Sequence, residues 1–320
     1  MGKLHMETKV DRQKPMLIKH TENYGYFFIA PYLLLLIVFS LAPTVFTLWI
    51  SFTKWNYFND MTWVGLDNYI QILKGKMFYK SLLNTVRIIV LALPACIITA
   101  LGMAYMLEVK FKRFSQAFKS ISFLPYVTTP VAVGVLFGLL FDYQTGFINI
   151  FIQKLGLVKA PIYWMANPNY VVLIVALIVF WKNLGYFMLL YFAGLKSVPV
   201  ELYEAADIDG ASTWQKFWYV ALPIIKPITV FIVITSIIWG LQIFDEPSLL
   251  VVGTDSNLSI ASTLGGPEKS VYTLVSYVYE EGFILFRAGT ASAVAYLMTV
   301  VIIFLAWVGF KVLNREGKGR

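Results

Sequence analysis

The sequence predicts an all-α polytopic membrane protein with six transmembrane helices, and three observations predict it. Hydrophobic residues make up 58% of the 320-residue chain and charged residues 14%, against about 25% charged in a soluble domain, so the apolar surface exceeds what one water-soluble core can hide. Six runs are long enough to cross a hydrocarbon layer, which takes about 20 apolar residues at ~1.5 Å rise each. Their hydrophobicity is continuous rather than alternating, which selects helices over barrel strands.

In chain order the expected spans fall at residues 27–50, 83–107, 120–141, 170–195, 224–244 and 288–310. The first follows a polar, basic segment and is too long for a signal-peptide core, so it stays as an anchor. Pro94, Pro125 and Pro130 mark spans that bend or break, and Pro43 marks the same near the outer end of the first. The run Ala288-Gly289-Thr290-Ala291-Ser292-Ala293 allows close approach of the last span to a neighbour. The divisions expected are a cytoplasmic segment at 1–26, a membrane domain at 27–311 with a cytoplasmic loop at 196–226, and a cytoplasmic tail at 312–320.

Orientation follows from Lys and Arg in the short loops, because cationic loops resist translocation. Lys3, Lys9, Arg12, Lys14 and Lys19 precede the first span, and Lys110, Lys112, Arg113 and Lys119 follow the second. Lys196, Lys216 and Lys226 follow the fourth, and Lys311, Arg315, Lys318 and Arg320 end the chain. The opposite side holds fewer, so both termini and the fourth loop are assigned to the cytoplasm of a cell-membrane protein. The net charge of +8 sits in these juxtamembrane clusters, where it meets anionic lipid head groups and calls for no nucleic acid.

The sequence also excludes. No Gly-x-x-x-x-Gly-Lys-Ser/Thr loop occurs, so the chain by itself does not cradle ATP in the usual way. His5 and His20 stand in the polar N-terminal segment without a third ligand, and Cys96 is alone within the second span. No nucleophile with a plausible base appears. Catalytic, cofactor and metal residues are therefore expected to be absent from this chain.

Residues 204–210 read Glu-Ala-Ala-Asp-Ile-Asp-Gly, a polar, small-residue island between two apolar runs. Ser197-Val198-Pro199 offers a helix start, with Glu201 and Glu204 near its positive end. Gly210 can take the left-handed conformation that ends a helix, and Ser212-Thr213-Trp214-Gln215 has capping-box spacing for a second one. Leu222-Pro223 and Pro227 punctuate the return to the membrane. Ala205 and Ala206 leave one face bare for a partner's close approach, while Glu204 and Asp207 offer carboxylates to basic residues. An ordinary amphipathic surface helix is the plain alternative. A DNA-reading helix–turn–helix is disfavoured by Glu201, Glu204, Asp207 and Asp209, which would face phosphates.

Glu204-Ala205-Ala206, Gly210 and Leu222-Pro223 resemble the Glu-Ala-Ala loop of the membrane subunits of binding-protein-dependent ABC importers. Val64-Gly65-Leu66-Asp67-Asn68-Tyr69, Asn84-Thr85, Leu124-Pro125, Phe244-Asp245-Glu246-Pro247 and Gly265-Gly266-Pro267 extend the resemblance to the carbohydrate-uptake permeases of the maltose, lactose and glycerol-phosphate type. One departure is an apparent insertion at 252–262, around Thr254-Asp255-Ser256-Asn257. The resemblance implies the type I ABC importer transmembrane fold and a complex with a second permease, two ATPase subunits and an extracytoplasmic solute receptor. ATP and Mg would sit on the ATPase. Glu204, Ala205, Ala206, Asp207 and Gly210 would couple to it, and alternating access would carry a sugar or oligosaccharide.

For the sugar path, Trp239, Gln242 and Asp245 recur at three-residue spacing and can share one face of the fifth span. A ring beside hydrogen-bonding groups suits a sugar, although Trp is also common at membrane interfaces. Lys182 beside Trp181 is a charge within the fourth span, which is costly there and should face a cavity or a partner. Two other classes stay open: an ion-coupled secondary transporter, which should bury carboxylates in mid-span, and a membrane anchor for a cytoplasmic signalling partner, which has little use for polar groups there.

Overall fold

The structure, a computed structural model, describes residues 18–109, 115–252 and 264–315. It is helical, and its described residues divide between two compact units, Met1–Trp49 and Ile50–Arg320. In the first unit, α1 (Ile18–Leu36) leads through a π-helical turn at Ile37–Leu41 into α2 (Ala42–Ser51), whose last two residues belong to the second unit. Pro43 comes directly after that wide turn, a usual way for a helix to absorb a lost backbone donor.

The second unit begins with a short hairpin, β1 (Thr53–Lys54) and β2 (Thr62–Trp63), paired Thr53 to Trp63 and Lys54 to Thr62. α3 (Asp67–Lys74) follows, then α4 (Lys76–Val109), α5 (Ser115–Val127), α6 (Pro130–Leu140), α7 (Phe147–Lys154) and α8 (Pro168–Lys196). α9 (Val200–Ile208), α10 (Thr213–Lys216), a π-helical turn at Phe217–Ala221, α11 (Leu222–Ile224) and α12 (Lys226–Leu241) come next. The chain closes with α13 (Asp245–Val252), α14 (Leu274–Tyr279), another π-helical turn at Glu280–Ile284 and α15 (Ala288–Arg315).

Four helical stretches are long and apolar enough to cross a membrane: Tyr26–Ser51, Lys76–Val109, Pro168–Lys196 and Ala288–Val312. Among the described residues the number reaches six when each of two bent pairs counts as one span, Ser115–Val127 with Pro130–Leu140 at 96° and Thr213–Ile224 with Lys226–Leu241 at 65°. The third span, expected as one run at 120–141, is thus broken. Pro130 disfavours helical geometry at Thr129, which is extended at ψ 140 and caps α6 by accepting a hydrogen bond from Ala132 N. Pro94, by contrast, is carried inside α4 without a break.

Close helix approach explains the placement of several glycines. A Cβ on Gly185 of α8 would lie 1.7 Å from the Ser122 carbonyl oxygen of α5, and one on Gly134 of α6 would lie 2.8 Å from the Leu249 backbone of α13. On Gly289 it would lie 1.9 Å from the Thr53 carbonyl oxygen, which accounts for the small-residue start of α15.

Three residues of the quoted motifs, Asn68, Asn84 and Thr85, prove to be latches. Asn68 donates from Nδ2 to the Ser51 and Thr53 carbonyls at 2.8 and 2.9 Å. Asn84 donates from Nδ2 to the Lys269 and Tyr272 carbonyls at 2.8 and 3.2 Å, and Thr85 Oγ1 accepts from Leu274 N at 3.1 Å. Together these two residues hold the turn at Gly265-Gly266-Pro267, where both glycines have positive φ, against the start of α4. The residues around Thr254-Asp255-Ser256-Asn257, the loop at Lys110, Lys112 and Arg113, and both charged termini lie outside the described residues.

Candidate functional site

The polar island forms as a rooted surface element. α9 starts after Pro199 and ends in a Schellman turn: Gly210 N donates to the Asp207 carbonyl at 3.1 Å and Ala211 N to the Ala206 carbonyl at 2.9 Å. Gly210 has φ +71°, the left-handed geometry such an end requires, and open space where a Cβ would project. The capping box at α10 forms as the spacing predicts, with Ser212 Oγ accepting from Gln215 N at 3.3 Å and Ser212 N donating to Gln215 Oε1 at 2.7 Å.

The roots of the island enter the core. Val198, Phe217, Ala221 and Ile225 are buried in one cluster with Ala104 and Leu107 of α4 and Tyr191 and Leu195 of α8. Tyr105 of α4 donates to the Thr213 carbonyl at 2.8 Å, and Lys196 pairs with Glu108 at 2.9 Å. On the other side Glu204, Ala205, Asp207 and Gly210 are exposed and Ala206 is half-buried.

Two findings modify the sequence reading of this face. Asp207 is ion-paired to Lys216 across the turn, so its carboxylate serves the island's own shape; of the two carboxylates proposed for docking, Glu204 is the one with no ion pair among the described residues. Leu202 and Trp214 are exposed as well, and Ile208 is 88% exposed. Sequence reasoning passed over these apolar side chains because it attended to the polar letters around them. An Ile at the tip of a solvent-facing turn was the available signal.

The second candidate site is a cavity of about 550 Å³ among α4, α5, α8 and α12, closed on one side by α13. Lys182, Trp239, Gln242 and Asp245 line it, together with Tyr126, Asn183, Ser236 and Glu246. The three-residue spacing leads to this cavity by a different route from the one expected. α12 ends at Leu241, so Gln242 caps it and Asp245 opens α13; the three side chains meet across a helix break, not along one helical face. Trp181 does not line the cavity. It packs beside Phe137, ring centroids 5.5 Å apart, because neighbouring positions on a helix point about 100° apart.

Lys182 Nζ lies 2.7 Å from Glu246 Oε1, with the two side chains 15% and 16% exposed. The sequence reading expects Lys182 to face a cavity or a partner; it does both, lining the cavity and pairing with Glu246 of the quoted Asp-Glu-Pro motif. The close α5–α8 contact at Gly185 brings Tyr126 onto Tyr186, stacked at 4.6 Å, and Tyr186 stands 6.0 Å from Trp239. An aromatic row therefore flanks a floor of amide, carboxylate and ammonium groups. Trp239 is 46% exposed, leaving ring surface available for contact. Among the described residues no group of His, Cys, Asp and Glu is arranged to hold a metal ion.

A multi-pass helical membrane protein with two broken spans, a polar cavity among them and a rooted surface element between its fourth and fifth spans has the architecture of a transport permease. Residues 97–316 match the family described as binding-protein-dependent transport system inner membrane component, and the chain belongs to that family. It is 34% identical over 295 residues to the arabinooligosaccharides transport system permease protein AraP of Bacillus subtilis (strain 168), covering 92% of this chain and 89% of that protein. It is 33% identical over 293 residues to the lactose transport system permease protein LacF of Rhizobium radiobacter, covering 90% and 94%. The fold matches the crystal structure of a bacterial ABC transporter involved in the import of the acidic polysaccharide alginate, with a TM-score of 0.77 at 21% identity over 93% of this chain and 98% of that one. The chain is thus a membrane permease subunit of the ABC importer type, a transport component rather than an enzyme.

Proposed function

We propose that this permease carries a sugar or oligosaccharide across the cell membrane by alternating access, paired with a second, similar permease. Hydrolysis of Mg-bound ATP takes place on a separate ATPase dimer, and an extracytoplasmic solute-binding protein delivers the substrate. The observation that carries the substrate reading is the cavity, whose lining brings the half-exposed Trp239 together with Gln242 and Asp245. A ring stacks on the C–H face of a pyranose while amide and carboxylate groups satisfy its hydroxyls. The similarity to an arabinooligosaccharides permease and a lactose permease supports the same class.

In this reading both termini and the island are cytoplasmic, as the distribution of Lys and Arg requires. Glu204, Ala205 and the turn at Gly210 seat in a cleft of one ATPase subunit. Because the island is rooted in the same buried cluster as α4 and α8, its displacement moves the helices that wall the cavity.

The test is reconstitution in lipid vesicles of this chain with its second permease, ATPase and receptor. ATP-dependent uptake of lactose or an arabinooligosaccharide supports the reading; ATP-dependent uptake of amino acids with no saccharide uptake contradicts it.

A further inference from the structure

The charges around the cavity favour one class of saccharide over another. Its lining carries one cation, Lys182, and two carboxylates, Asp245 and Glu246. Glu246 already occupies the ammonium at 2.7 Å, and Asp245 has no ion-pair partner among the described residues, so the lining holds a surplus negative charge. We propose that this cavity accepts saccharides without anionic groups and turns away those bearing carboxylates, such as uronate oligosaccharides. The inference rests on the cavity being the sugar path.

Two physical steps lead to it. A substrate carboxylate that approached Lys182 would find its ammonium already paired with Glu246 and would crowd a second carboxylate against that one on a single cation. Left beside the intact pair, the same carboxylate would meet the like charge of Asp245 with no second cation in the lining to offset it. Neutral hydroxyls avoid both costs, since they can donate to Asp245 and Gln242. The fold shared with an importer of an acidic polysaccharide does not carry the charge preference, because Lys182, Asp245 and Glu246 are side chains that the fold leaves free to vary.

The experiment uses the assembled complex without its receptor, in nanodiscs of zwitterionic lipid, so that receptor specificity and lipid charge do not enter. Saturation-transfer NMR compares maltotriose with trigalacturonate at neutral pH, a method suited to millimolar binding. The expected result, from titrations, is a dissociation constant for maltotriose at least about tenfold lower, equivalent to about 1.4 kcal/mol, seen as the stronger signal. Glu246→Gln frees Lys182 and should raise the trigalacturonate signal by a similar factor. Asp245→Asn, which leaves the ion pair in place, should raise it to a smaller extent and stands in if Glu246→Gln does not assemble. Equal signals in the wild-type complex, or a ratio unmoved by either variant, overturns the charge inference while leaving the sugar path standing. Absence of signal from both saccharides in every form overturns the sugar path and the inference with it.

Discussion

Lys182 in the middle of α8 and Glu246 in the first turn of α13 form an ion pair at 2.7 Å, a link between two helices that line the cavity. α13 is otherwise held by packing on α6, where Gly134 lets the Leu249 backbone come close. Lys182→Met should leave Glu246 without its cation and lower stability by about 1–3 kcal/mol, less than the ~3–5 kcal/mol of a fully buried pair because both side chains keep some solvent contact. The double variant Lys182→Met with Glu246→Leu should recover part of that loss. Thermal unfolding in detergent checks both; a double variant less stable than Lys182→Met would show that the pair is not the coupling between the two helices.

Asn84→Ala should release the Gly265-Gly266-Pro267 turn, since a single buried amide satisfies the carbonyls of Lys269 and Tyr272. Leaving buried acceptors unmade costs about 1–3 kcal/mol. Amide exchange measured by mass spectrometry should speed up across 264–273 and stay unchanged at α9. Uniform exchange in both segments would place Asn84 outside the latch.

Glu281 gives a pH signature. It is buried, and burial pushes its carboxyl above the ordinary range while Arg287, 3.6 Å away, opposes the shift. A raised carboxyl binds its proton more tightly in the folded state, so its contribution to stability falls as pH rises from the ordinary carboxylate range through the folded-state value. Glu281→Gln, which keeps the shape without the charge, should flatten that decline. Melting temperatures between pH 4 and 7 test it, and parallel curves for the two proteins would remove Glu281 from the account.

Hydropathy locates the first, fourth and last spans to within a few residues, since length and continuous apolarity decide what can cross a bilayer, while the second starts earlier, at Lys76, and the fifth, a bent pair, at Thr213. It could not report direction: the 96° turn between α5 and α6 reverses nothing in the composition of 120–141, and only Pro130 with the Thr cap before it signals the break. The end of α12 was hidden for a different reason. No Gly or Pro stands at Gln242 or Ile243, so a continuous helical spacing from Trp239 to Asp245 fitted equally well. In the island, local signals such as Gly210 and the Ser212–Gln215 box specified local hydrogen bonds and were legible. The pairing of Asp207 with Lys216 was not, because it depends on how the turn at Gly210 folds one helix back toward the other.

Gly210 is where the coupling account is most exposed to test. Its φ of +71° costs a non-glycine residue about 1–2 kcal/mol, more when the side chain is β-branched. Asn tolerates the conformation, so Gly210→Asn should stay close to wild type. Glu204→Ala should weaken docking by about 1 kcal/mol or less, as a partly exposed ion pair does.

The direct measurement is co-purification of the ATPase with the membrane subunits carrying Gly210→Val, followed by receptor-stimulated ATP hydrolysis in lipid. The account predicts that the variant inserts normally, because Gly210 lies outside every span, yet loses ATPase recovery and stimulation by about tenfold, while Gly210→Asn retains both. Full recovery and full stimulation with Gly210→Val would contradict it and return the island to an ordinary surface turn.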